Sequence, residues 1–176
     1  MDFMELCNAR QSCRSFADKP VEHEKLVKCV EAARLAPSGC NSQPWKFVVV
    51  ETPEVVEKVA KCTQVLGANS YISSAKAFIV VLEEHAVLLQ QVRAVFDSQV
   101  FAKGDLGAAA VTICYAAQEQ GLGSCILGLF DRAALSNILS LPLEQRYFCV
   151  IALGYENDTT TRPKMRKPLE EITKFV

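Results

Sequence analysis

From Val21 to Leu35, apolar Leu26, Cys29, Val30 and Ala33 recur at the helical period while Glu22, Glu24, Lys25, Lys28 and Glu31 take the other side. The pattern predicts a surface helix with one buried stripe, stopped by Pro37. Phe47, Val48, Val49 and Val50 follow as an unbroken apolar run and predict a strand buried on both faces. Thr52-Pro53-Glu54 opens a helix with an N-cap residue, a proline at the first helical position and a carboxylate in the first turn, and Val55, Val56, Val59, Ala60 and Cys62 form its stripe. Ala77 to Leu82 predicts a second buried strand, and a helix is expected around Leu88 to Val95. Residues 97–104 carry no readable period. Asp105 to Gln120 predicts a helix whose Gly107, Ala108, Ala109, Ala110, Ala116 and Ala117 let a neighbouring helix approach closely, with Gly121 and Gly123 ending it. Cys125 to Gly128 predicts a short apolar strand or turn, Asp131 to Leu139 a helix capped by Asp131, and Tyr147 to Leu153 another strand. A short helix occupies Met1 to Arg10, and beyond Gly154 the chain turns polar and extended.

Helices and strands alternating in this way imply an α/β (α+β) layered fold in a single domain spanning 1–176, with an extended tail from about residue 155. The 176 residues are 50% hydrophobic and 22% charged, enough for a packed core and far from the composition of disordered chains. A formal net charge of −1 offers no global attraction for nucleic acid or anionic lipid, so small molecules are the expected partners. The eight cysteines form no C-x-x-C pair and neither His23 nor His85 lies near one in sequence, so no metal site is expected. Several of them fall at core positions, which predicts reduced structural thiols and a cytoplasmic location. No apolar run approaches the length of a membrane helix, and no membrane association is expected.

Three segments carry candidate chemistry. Arg10-Gln11-Ser12-Cys13-Arg14 places Arg10, Ser12 and Arg14 on one side of an extended strand, where their donors suit phosphate oxygens or a developing negative charge. Ala36 to Phe47, with Pro37, Ser38, Gly39, Cys40 and Asn41, is a turn of small residues whose backbone N–H groups a flat ring or phosphate can reach. Arg162-Pro163-Lys164-Met165-Arg166-Lys167-Pro168 is stiffened by two prolines and turns Lys164 and Arg166 to one face. Each alone also reads as a solvated turn or tail, and Gln43, Pro44 and Trp45 equally as structural anchors of the strand that follows. No Gly-x-Gly-x-x-Gly, Walker or Gly-x-Ser-x-Gly pattern is present.

In this order and spacing, the three segments resemble the nitroreductase family of FMN-dependent oxidoreductases. The resemblance implies a mixed central sheet flanked by helices in an intertwined homodimer, with non-covalent FMN as cofactor and NAD(P)H as reductant. It places Arg10, Ser12, Lys164 and Arg166 on the FMN phosphate, with Gln11 as a further contact and Arg14 near the ring. Pro37, Ser38, Gly39 and Asn41, usually from the partner subunit, line the flavin together with Leu127 and Gly128. Asn69 is the candidate ring-contacting asparagine. A glutamate that some members carry near 127–128 is missing here. The flavin carries the chemistry, so no catalytic acid, base or nucleophile is expected, and Cys40 has no activating neighbour in sequence. The implied reaction is hydride uptake from NAD(P)H and reduction of nitroaromatic, quinone-like or related small acceptors by a ping-pong mechanism. The alternatives are a non-catalytic FMN-binding or sensing protein, or a specialised dehalogenating, flavin-oxidising or azoline-oxidising branch.

Overall fold

The structure, a computed structural model, describes all residues 1–176. Strands β1 (Trp45–Val50), β2 (Ala77–Glu83), β3 (Gly123–Leu127) and β4 (Arg146–Gly154) form one sheet in the order β1-β2-β4-β3, antiparallel in all three ladders. The mixed sheet implied by the resemblance reduces, within this chain, to a single parallel bridge between Ser12 and Ser124. The main helices are α1 (Phe3–Ala9), α2 (His23–Arg34), α3 (Pro53–Cys62), α5 (Ser98–Glu119) and α6 (Arg132–Leu139). Single turns α4 (Gln90–Arg93) and α7 (Leu169–Ile172) complete the set.

The period-2 alternation of β2 and β4 builds two apolar layers. Phe78, Val80, Leu82, Val150 and Ala152 pack with Val56 and Val59 of α3 and Leu135 of α6. Ala77, Ile79, Val81, Cys149, Ile151 and Leu153 pack with Leu26, Cys29 and Ala33 of α2 and Leu106, Ala109, Ile113 and Ala117 of α5. Helices therefore cover both faces of the sheet, and β2, at its centre, is buried from Ala77 to Leu82. The alanines of α5 bring α2 close, as their small side chains require.

Five sequence expectations change. β1 is an edge strand with only Val50 buried, because strand order leaves one of its sides unpaired. The helix around Leu88 to Val95 is the single turn α4. α5 begins at Ser98, with the Asp97 carboxylate accepting from the Gln99 N–H, and runs through Gly104, where a Cβ would meet nothing within 4 Å. At 22 residues it is also long and apolar enough to cross a membrane, contrary to expectation, yet Leu106, Ala109, Ala110, Ile113 and Ala117 are buried in the core. Gly123 opens β3 instead of ending α5, which Gly121 does with φ +75°.

All eight cysteines are unbridged and six of them are buried. Burial pushes the Cys29 and Cys149 thiols up to about 12 and Cys13 to about 11, so none of these three supplies a thiolate near neutrality.

Candidate functional site

Helix α1 starts on a capping box, with the Asp2 carboxylate accepting from the Glu5 N–H and the Glu5 carboxylate from the Asp2 N–H, both at 2.8 Å. It ends at Arg10, where the backbone turns extended. Residues 12–16 then lie across a bare patch of the sheet made by Gly123 and Gly154, directly paired between β3 and β4. A Cβ on Gly123 would stand 2.7 Å from the Cys13 Cβ, and one on Gly154 2.7 Å from Phe16 Cδ1. Only glycine admits this approach. The Cys13 N–H donates to the Ser124 carbonyl at 2.9 Å, and Cys13 and Phe16 are buried, which leaves Arg14 exposed.

The tail returns to the same segment. Lys164 Nζ donates to the Arg10 carbonyl at 2.6 Å, and Arg162 Nη2 to the Ser12 carbonyl at 2.6 Å. Between them lies an open cleft of about 380 Å³, walled by Arg10, Gln11, Ser12, Arg14, Arg162, Pro163, Lys164, Met165 and Arg166. Five cations thus line one cleft, and none is paired with a carboxylate. Arg10 Nε is buried without a hydrogen-bond partner. Burial, then the charges of Arg10, Arg166 and Arg162, hold the Lys164 ammonium below the usual lysine range. Cations gathered without an anion repel one another, and a bound polyanion reverses the sign of that energy. The cleft fits a phosphate dianion. Arg14 lies with its guanidinium 5.7 Å from the Tyr71 ring centroid, held at the rim by a contact that leaves its charge free.

A family model of the nitroreductase family matches residues 8–155. The chain belongs to the nitroreductase family. It is 31% identical over 159 residues to a protein of Archaeoglobus fulgidus, covering 88% of this chain and 86% of that one. It is 29% identical to the oxygen-insensitive NADPH nitroreductase of Helicobacter acinonychis, covering 93% and 91%. Among solved structures, an FMN-dependent nitroreductase of Clostridium difficile superposes with TM-score 0.79 at 25% identity over 98% of each chain. Family membership places the chain among oxidoreductases.

Of the residues that the nitroreductase resemblance singles out, the structure gathers Arg10, Gln11, Ser12, Arg14, Lys164 and Arg166 in the cleft. Pro37, Ser38, Gly39, Asn41, Leu127 and Gly128 are not among its walls. The loop of Pro37 to Asn41 packs instead on the first half of α5. There the Gly39 N–H donates to Asp105 Oδ2 at 3.1 Å, and a Cβ on Gly39 would stand 3.3 Å from the Phe101 ring. Helix α1 meets α5 further along, through Cys7 and Tyr115, roughly 15 Å of helix beyond Asp105. The loop is tightly wound. Cys40, Asn41 and Gln43 all have positive φ, at 54°, 52° and 49°. Such conformations cost of order 1 kcal/mol or more each and persist only where surrounding bonds impose them. Here the Ser38 hydroxyl accepts from the Gln43 N–H, and that of Ser42 from the Val87 N–H. Cys40 is exposed at its tip.

Asn69 has φ +57°, and its side chain is fully engaged within the chain: Nδ2 donates to the Thr63 and Leu129 carbonyls, and Oδ1 accepts from the Tyr71 hydroxyl. Through the Leu129 carbonyl it braces the chain next to Gly128. Gln11, expected as a cofactor contact, directs its amide into the tail: Nε2 donates to the Thr160 carbonyl at 3.0 Å, and Oε1 accepts from Arg162 N and Nε. Arg162, named in the sequence only as part of the basic tail segment, and Glu156 received no individual role there. Arg162 shares the alternation of Lys164 and Arg166 and was legible on that ground. Glu156 was not. It lies behind the Arg10–Arg14 segment in a smaller cavity of about 220 Å³ with Cys13 and Asp158. Its Oε1 is buried without a partner, and burial, opposed by the Arg162 charge, raises its carboxyl above the usual range.

Proposed function

We propose that this nitroreductase-family protein binds FMN non-covalently and uses it to pass electrons from NAD(P)H to small acceptors such as nitroaromatics or quinones. The observation that carries the reading is the cleft of five unpaired cations with the orphaned Arg10 Nε, drawn from the two ends of the chain. Arg10, Ser12, Lys164 and Arg166 are the residues to hold the phosphate. FMN, when bound, supplies the hydride and electron chemistry. The chain itself contributes position and charge. Arg14, free of carboxylates and propped on Tyr71, puts a cation at the rim where a ring that gains negative charge on reduction is stabilised. Leu127 and Gly128 are proposed to flank the ring.

The loop of Pro37 to Asn41 reaches a flavin from a second copy of the chain in this reading, since its own cleft lies farther along α5. An apolar surface consistent with such a homodimer is at hand: Met165, Leu169, Ile172 and Phe175 of the tail are 63–92% exposed. The acceptor is proposed to be a small molecule.

Equilibrium binding tests the phosphate reading. Charge-assisted hydrogen bonds are worth about 1.5–3 kcal/mol each, so FMN should bind at least about a hundredfold more tightly than riboflavin, which lacks the phosphate. Equal affinities would remove the cleft's assigned role.

A further inference from the structure

Beyond Gly154 no residue of the chain is buried. Past Tyr155, which packs partly buried against the core and whose hydroxyl accepts from Lys25 Nζ and donates to Glu22, the tail that supplies Lys164 and Arg166 is therefore held to its own subunit by polar contacts and not by apolar burial. Ordering an extended segment loses backbone entropy at every residue, and exposed hydrogen bonds return little of it. Its attachments fall in two groups. Near the sheet, the Asn157 N–H and Nδ2 donate to the Ser15 carbonyl and hydroxyl, and Nδ2 also to the Phe16 carbonyl. At the cleft, Lys164 Nζ donates to the Arg10 carbonyl at 2.6 Å, and three of the other four bonds pass through one neutral side chain. Gln11 Nε2 donates to the Thr160 carbonyl, while Oε1 accepts from Arg162 N at 3.2 Å and Nε at 3.1 Å. The other arm of the Arg162 fork reaches the Ser12 carbonyl at 2.6 Å. Past Lys164, Arg166 bonds only the neighbouring Met165 carbonyl.

We propose that Gln11 and Arg162 form a clasp that seats the tail, so that docking of the tail and binding of a phosphate dianion are one coupled equilibrium. The clasp joins residues 151 apart in sequence. Closing it brings Arg162, Lys164 and Arg166 beside Arg10, a step opposed by charge repulsion until a dianion occupies the cleft. The dianion thus favours the closed tail, and by linkage the closed tail favours the dianion. Gln11 suits this role because its amide offers a donor and an acceptor together without adding charge to the phosphate site. Arg162 adds its charge to the cleft and, through its fork, acts as a positioning residue for the tail. The inference rests on the phosphate reading of the cleft and adds to it the residues that assemble it.

The test uses the full chain, freed of any bound flavin and then titrated with FMN, riboflavin or inorganic phosphate, with tryptic cleavage after Lys164 and Arg166 as the readout of tail release. FMN, and inorganic phosphate at higher concentration, should slow this cleavage, while riboflavin should not. Gln11→Ala should speed cleavage and weaken FMN binding roughly tenfold, the loss expected for the clasp's hydrogen bonds. Arg162→Lys keeps the charge but cannot fork, and should do the same. Because the two variants share the Gln11–Arg162 Nε bond, while only Gln11→Ala loses the Thr160 bond and only Arg162→Lys the Ser12 bond, the double variant should cost less than the sum of the single ones. Their urea unfolding midpoints should match the wild type, since the core is untouched. An Arg162→Lys protein with wild-type FMN affinity and wild-type cleavage would overturn the clasp while leaving the phosphate reading intact. Equal protection by riboflavin would overturn the coupling to the dianion. A wild-type chain that binds no FMN would overturn both readings.

Discussion

Gly123→Ala probes the point where fold and site meet. A Cβ at that position would stand 2.5 Å from Glu156 Cγ, 2.7 Å from Cys13 Cβ and 2.9 Å from Glu156 Oε1. Carbon atoms pack at about 3.5–4.0 Å, so something must move by roughly 1 Å. The Glu156 side chain can rotate away, whereas Cys13 Cβ is fixed to the backbone, and displacing it strains the 2.9 Å bond from the Cys13 N–H to the Ser124 carbonyl. Overpacking of this kind costs about 1–3 kcal/mol and the lost bond about 1, against a gain of about 0.4–1 from stiffening the unfolded chain. A net loss near 2 kcal/mol lowers the melting temperature by about 4–8 °C for a chain of this size. Ser12 and Arg14 move with Cys13, so FMN affinity should fall at least about tenfold, since charge-assisted contacts do not survive a 1 Å displacement at full strength. Differential scanning calorimetry and fluorescence titration with FMN report the two effects. Gly104→Ala is the control: its Cβ meets open space inside α5, so it should gain about 0.5–1 kcal/mol and bind FMN normally. A Gly123→Ala protein that melts with the wild type and binds FMN equally well would refute the close approach of residues 12–16 to the sheet.

Two further outcomes follow from the same geometry. Burial raises the Glu156 carboxyl in the folded chain, so its contribution to stability is complete below the unfolded value of about 4.3 and is lost as pH rises through the raised value. Glu156→Gln lacks that loss, so its stability relative to wild type should improve as pH rises from about 4 in urea titrations; a constant difference would contradict the assignment. Arg166→Ala should weaken oxidised and reduced FMN alike, by about 1.5–3 kcal/mol, while Arg14→Ala should bind oxidised FMN nearly normally and lower its midpoint potential. Spectroelectrochemistry separates them, and an unchanged potential in Arg14→Ala would reassign the ring contact.

What could be read from the sequence is what local signals encode. The stripe of α2, the Thr52-Pro53-Glu54 start of α3 and the Asp131 cap of α6, whose carboxylate accepts from the Ala134 N–H, each depend on neighbours within one or two turns. The exposure of β1 depends on strand order, which no local pattern records. Residues 97–104 carry no period of their own in the sequence, yet the residues on either side of Gly104 carry α5 through it. Gly123 read as a cap because the need for a bare patch arises only once residues 12–16 cross the sheet. At the site, the alternation of Arg10, Ser12 and Arg14 and of Lys164 and Arg166 located the cleft from both ends. The orientation of the Gln11 amide and the burial of Glu156 are properties of the junction between the two ends, and neither segment alone contains them.

The central claim is tested most directly by the visible spectrum of the purified protein, recorded without oxygen before and after addition of NADH or NADPH. The account predicts a yellow protein whose flavin absorbance bleaches on addition of a nicotinamide and returns when a nitroaromatic or quinone acceptor is supplied. A protein that stays colourless after incubation with FMN, or one that binds FMN and is bleached by neither nicotinamide, would contradict it.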